Sequence, residues 1–191
     1  MLIKLHGAHG ERIATESSIV LGRNNMNTGT GHSASLSSRG FLAPILTGGI
    51  LAGAIDLTFA CTYNGLVNGT PPLRILQAIA SGWLGMDAFQ NVYPAAVIGF
   101  LSHFGILIVA AAMYYAASRR LSVLREHAYL SGIAFGIAIY ATMHLIVLPL
   151  SAAPPFKPKW FSMAADFSVH MLLLGPAIAL AVRYFDRRAG R

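Results

Sequence analysis

Asp166 and His170 stand four residues apart in the apolar run WFSMAADFSVHMLLLGPAIALAVRYFDRR, residues 160–188. On an α-helix that spacing sets an acid and an imidazole on one face, one turn apart. Such a pair can share and pass a proton. It can also ligate a transition-metal ion such as zinc. Three more residues of the same chemistry, Asp56, His103 and His144, lie in three other apolar runs. If each run is a membrane helix, depth follows from a rise of about 1.5 Å per residue. Asp56, His103 and His170 then lie about ten residues from one set of helix ends, near mid-bilayer, and His144 and Asp166 lie a turn or two from those ends. Every run brings at least one of these residues into the same half of the bilayer.

The donor set limits the chemistry. Three imidazoles and two carboxylates suit a proton network, or one metal ion or a small dinuclear site. Haem held by two of the histidines would leave the carboxylates without a role and would need His144 at a depth it does not share. No serine or cysteine stands in a nucleophile motif, and no phosphate loop or nucleic-acid signature is present, so the chain reads more as a non-enzyme than as an enzyme. The alternative without chemistry is that the polar residues only fasten helices to one another. Interhelical polar contacts in membranes average about 0.6 kcal/mol, a weak return for ionisable groups that are costly in hydrocarbon.

Composition sets the context. Of 191 residues, 55% are hydrophobic and 11% charged, against about 25% charged in a soluble domain. Mean hydropathy is +0.58. The net charge of +7 comes from residues that flank apolar runs, which fits topology signals and anionic headgroups instead of nucleic acid. The single cysteine, Cys61, excludes an internal disulfide and any multi-cysteine metal motif.

These features predict an all-α polytopic membrane protein, a bundle of four transmembrane helices over 41–188. The spans are expected at about 41–64, 92–117, 127–150 and 160–184. Residues 1–40 lack a signal-peptide core and end in NNMNTGTGHSASLSSRG, so a disordered cytoplasmic tail is expected, with His6, His9 and His32 solvated. Residues 68–88 are too short and too polar to span. Pro71 and Pro72 can open a helix there, with Arg74, Gln77 and Ser81 on one face and Leu76, Ile79, Ala80 and Trp83 on the other. An interfacial or re-entrant helix on the outer face is expected.

Two stripes should pack the spans. Gly49, Gly53, Asp56, Ala60 and Asn64 follow one helical face, and Gly132, Gly136, Tyr140 and His144 follow another. Both are small at one end and polar at the other, so the face that permits close approach also carries a polar residue inward. The same faces could instead serve a homo-oligomer or a membrane partner. Orientation follows the basic residues. Lys4, Arg12, Arg23, Arg39, Arg119, Arg120, Arg125, Arg183, Arg187, Arg188 and Arg191 fall on one side, and Arg74, Lys157 and Lys159 on the other. Both termini are therefore expected in the cytoplasm of a bacterial inner (plasma) membrane, with Tyr63, Trp83, Tyr93 and Trp160 near the outer interface.

The segment THLIVLPLSAAPPF followed by DFSVH, with His103 and Asp56 upstream, resembles the YagU-like inner-membrane proteins of bacteria, a family of unknown molecular function. The resemblance covers about residues 45–188. It implies that His103, His144 and His170 correspond to family histidines, and Asp56 and Asp166 to family acids. Those acids can be Glu, so Asp is a departure that sets the carboxylate less deep in a shared site. The family supplies no reaction. The leading expectation is a proton- or metal-handling site built on Asp166 and His170 and completed by Asp56, His103 and His144. The alternatives are a structural or assembly subunit, and a membrane-embedded metalloenzyme acting on a lipid or quinone.

Overall fold

The computed structural model describes the backbone of residues 33–155 and 159–189. Residues 1–32 of the expected tail, with His6, His9 and His32, lie outside the described residues, as do residues 156–158 of the last link. Among the described residues the chain is helical and has no strand. In chain order the helices are α1 (Ser33–Asn68), α2 (Pro72–Leu84), α3 (Val92–Arg120), α4 (Val123–Glu126), α5 (Ala128–Thr142), α6 (Leu148–Leu150), α7 (Trp160–Val169) and α8 (Gly175–Ala189). Wide π-turns join α5 to α6 and α7 to α8. Four helical segments are long and apolar enough to cross a membrane: Gly40–Asn68, Val92–Arg120, Ala128–Leu150 and Trp160–Arg188. They are spans 1 to 4 below.

The helix in span 1 begins at Ser33, upstream of the expected start, and continues to Asn68. Pro44 is therefore inside the helix and not in its first turn, where a proline costs nothing.

Small residues decide which spans touch. A Cβ on Gly49 would meet Ile108 Cα at 2.6 Å, and one on Gly53 would meet the Phe104 ring at 2.7 Å, so span 1 lies directly on span 2. Gly48 faces Ile178 and Ala181 of span 4. Gly132 faces Pro176 at 2.6 Å by the same measure, and Gly136 faces His170 and Met171, so spans 3 and 4 are seamed along one ridge. Both glycine pairs thus pack within the chain. Towards the arginine-rich end, Ala52, Leu107, Ala111, Tyr114, Ala128, Ile139, Leu174, Ile178 and Val182 close into one buried apolar core.

The expected helix between spans 1 and 2 is present as α2. Gln77 and Ser81, on the polar face of α2, are buried, while Trp83, on the other face, is 70% exposed. Gln77 Nε2 donates to Ala88 O at 2.9 Å, and the Arg74 guanidinium sits 4.0 Å over the Phe89 ring. Gln77 and Ser81 thus turn inward, Arg74 stays exposed, and on the other face Ala80 is buried while Trp83 faces out. Gly99 admits the Leu76 backbone, which seats α2 on span 2. Gly85 turns the chain at φ 57°, a conformation that favours glycine. The Ala152 amide donates to Gly82 O at 2.9 Å, tying α2 to the end of span 3.

Candidate functional site

The two stripes bring the polar residues together. On span 1, the face that rests its glycines on span 2 carries Asp56 one turn further along. On span 3, the ridge that packs Gly132 and Gly136 on span 4 carries Tyr140 and His144 to the level of Asp166. All the sequence-predicted residues meet in one alternating row. His103 Nε2 is 3.8 Å from Asp56 Oδ2, and Asp56 Oδ1 is 3.9 Å from His170 Nδ1. His170 Nδ1 is 3.4 Å from Asp166 Oδ1, and Asp166 Oδ2 is 3.7 Å from His144 Nε2. Each carboxylate bridges two imidazoles, and His170 is the centre.

Backbone carbonyls fix the rings. His103 Nε2 lies 3.0 Å from Gly53 O on the neighbouring helix. His144 Nδ1 lies 3.1 Å from Tyr140 O, and His170 Nδ1 lies 3.0 Å from Asp166 O. A carbonyl only accepts, so each of these nitrogens carries the hydrogen. The consequence is sharpest at His144. In a neutral ring its Nε2 is then a bare lone pair, and it faces a carboxylate oxygen. Two electron-rich atoms at that distance call for a proton, a metal ion or a doubly donating water between them.

The separations point the same way. A charge-assisted N–H···O bond is about 2.7–2.9 Å long. Two ligands bound to one ion at about 2.1 Å each stand about 3.4 Å apart at the tetrahedral angle. The gap between His144 Nε2, a nitrogen with no carbonyl partner, and Asp166 Oδ2 is 3.7 Å, nearer the second figure. Asp56, Asp166 and His170 each offer a ligand atom within 4.8 Å of the others, and this group can hold a metal ion. Ligation through His170 Nδ1 would require that nitrogen to give up its hydrogen bond to Asp166 O. His144 Nε2 is available without any such exchange.

The side chains of His103 and His170 are 8% and 9% exposed and Asp56 is 16% exposed, whereas His144 and Asp166 reach 26% and 31%. The more exposed end of the row is the one nearer the helix ends opposite the arginines. On the other side it rests on the buried apolar core.

Two features escaped the sequence reading. One is Tyr140, assigned to the ridge and not to the site. Its ring stacks on His144 at 4.0 Å and meets His170 edge-on at 5.6 Å. The other is the pair of π-turns, Met143–Val147 and His170–Leu174, which begin beside or on a site histidine. Leu148 N–H donates to Met143 O and Gly175 N–H to His170 O, each one residue further back than in an α-helix. The signal was the prolines: Pro149 and Pro176 each stand two residues beyond a wide turn. A proline ring crowds the carbonyl four residues back, and a wider turn relieves that crowding.

Comparison with protein-family models, with curated proteins and with solved structures gave no match.

Proposed function

We propose that this membrane protein binds one divalent transition-metal ion of the zinc type in the Asp/His cluster, from the side opposite its arginine-rich end. The observation that carries the reading is the convergence of Asp56, Asp166 and His170 ligand atoms within 4.8 Å. His144 Nε2 stands ready beside Asp166. Charge balance supports it: two carboxylates in a low-dielectric slab are neutralised by one divalent ion, with the imidazoles neutral. A proton path through the membrane is less well supported, because the buried apolar core lies between the row and the arginine-rich end. No reaction is assigned. By the basic-residue rule the arginine-rich end faces the cytoplasm, and the site opens to the outside of a bacterial inner membrane. The YagU-like resemblance belongs to this proposal and adds no chemistry to it.

The test is metal analysis of the detergent-purified protein after equilibration with zinc and gel filtration. About one equivalent is expected, lost in His144→Ala and in His170→Ala. A wild-type protein that retains no zinc, cobalt or nickel refutes the reading. One contact favours a second reading: the buried His103–Gly53 bond joins two helices directly. If the cluster only fastens helices, His144→Ala should lower thermal stability without any metal to lose.

A further inference from the structure

The opposite end of the bundle holds a second polar site, unconnected to the Asp/His row. Ser122, Arg125, Glu126, Arg183, Asp186 and Arg187 line an open groove of about 480 Å³ between the α3–α4 turn and the last turns of α8. That size suits a headgroup and its glycerol. The carboxylate of Asp186 is already occupied: its Oδ1 accepts from Arg119 Nη1 at 2.9 Å and lies 3.5 Å from Arg125 Nη1. Its role is to hold Arg125 on the groove wall. Arg183 and Arg187 are one helical turn apart on one face, an arrangement of like charge that destabilises a helix without a counter-ion. Among the described residues no carboxylate pairs with either. The groove and Arg119 together carry more guanidinium than carboxylate charge, and the Ser122 hydroxyl adds a neutral donor. All of this lies at the end of the spans, where a bilayer presents its headgroups.

We propose that this groove binds the phosphate of an anionic phospholipid. Guanidinium forks match phosphate oxygens in pairs, and a basic pocket between helices at the headgroup level is where such a lipid is held. Free inorganic phosphate shares the chemistry but lacks the acyl chains that would lie along the exposed span surfaces.

The probe is dioleoyl phosphatidylglycerol, compared with dioleoyl phosphatidylcholine, added to the full chain in neutral detergent. Adducts are counted by native mass spectrometry, with inorganic phosphate as a separate arm. The first phosphatidylglycerol is expected to bind at least about tenfold tighter than the first phosphatidylcholine. Arg183→Gln combined with Arg187→Gln should cut that affinity about tenfold or more, while Arg120→Gln, outside the groove, leaves it unchanged. If the double variant does not fold, the exposed Arg187→Gln alone should still weaken binding several-fold. Equal binding of the two lipids, or an unaffected Arg187 variant, overturns the proposal. Phosphate adducts without selective lipid binding reassign the groove to a soluble phosphate and also overturn it. None of these outcomes depends on whether the Asp/His row binds metal.

Discussion

Gly136→Ala tests whether the seam between spans 3 and 4 sets the site. A Cβ there would stand 2.8 Å from the carbonyl carbon of His170 and 3.1 Å from Met171 Cα. It would overlap the His170 carbonyl oxygen as well. All of these are backbone atoms, so no side-chain rotation can make room. Ordinary contact begins near 3.4 Å, and the helices must part by at least several tenths of an ångström. Overpacking of this kind typically costs about 1–3 kcal/mol. The movement is centred on the residue whose imidazole is the middle of the row. Tyr140 and His144, further along the same ridge, retreat from Asp166. A misplacement approaching 1 Å can cost about a hundredfold where geometry matters.

The assay pairs the thermal midpoint in detergent with zinc affinity, using Gly105→Ala as control. Gly105 has nothing within 4 Å of its would-be Cβ, so its substitution should leave both readouts near wild type. Gly136→Ala is expected to lower both. A variant with wild-type stability and wild-type zinc affinity would refute the claim that this close approach positions the site. Loss of stability alone would separate the seam from the cluster.

Metal binding should be proton-coupled, because each ligand must shed its proton first: zinc affinity is expected to fall as pH drops from about 8 to about 5, with protons released on binding. Buffer-dependent calorimetry reads this, and a pH-independent affinity with no release counts against the imidazoles as ligands. Gln77→Leu leaves the buried Ala88 carbonyl without its donor, and a loss of about 1–3 kcal/mol in stability is expected from the thermal midpoint. Asp186→Asn breaks the pairs to Arg119 and Arg125, but Arg119 is 53% exposed. A change below about 1 kcal/mol is therefore expected, and a larger one would mean that the cluster is less solvated than it looks.

The spans were legible because each is a long, mainly apolar run. The shared level of the polar residues along the helices was legible too, since helical rise is constant. Periodicity placed Asp56 on the glycine face of span 1 and His144 on that of span 3, and those faces do pack inward. What periodicity cannot give is polarity when the surroundings are apolar. In the stripe Arg74–Gln77–Ser81, Gln77 and Ser81 turn in and Arg74 does not, a split that spacing alone does not give. Nor does sequence reveal ring orientation. Every helical residue offers a carbonyl, and which one an imidazole takes decides which nitrogen is left for a ligand. The wide turns at His144 and His170 are backbone events whose only trace is a proline shortly beyond.

The aspartates themselves offer the sharpest discrimination between a metal site and a helix fastener. Asp56 sits 3.8 Å from His103 and 3.9 Å from His170, too far for a direct hydrogen bond to either. Glutamate is longer by one methylene, about 1.5 Å, enough to bring the carboxylate within bonding distance of one imidazole. If fastening were the purpose, the shorter acid would be the poorer choice, and Asp56→Glu should raise stability by about 1 kcal/mol with nothing lost. If the gap is kept for an ion, the extra methylene fills it, and zinc affinity should fall about tenfold or more while the metal-free protein melts no lower than wild type. Tighter zinc binding by Asp56→Glu would sink the metal reading of the gap. A metal-free protein that melts much lower would instead show that this pocket has no room for the longer acid.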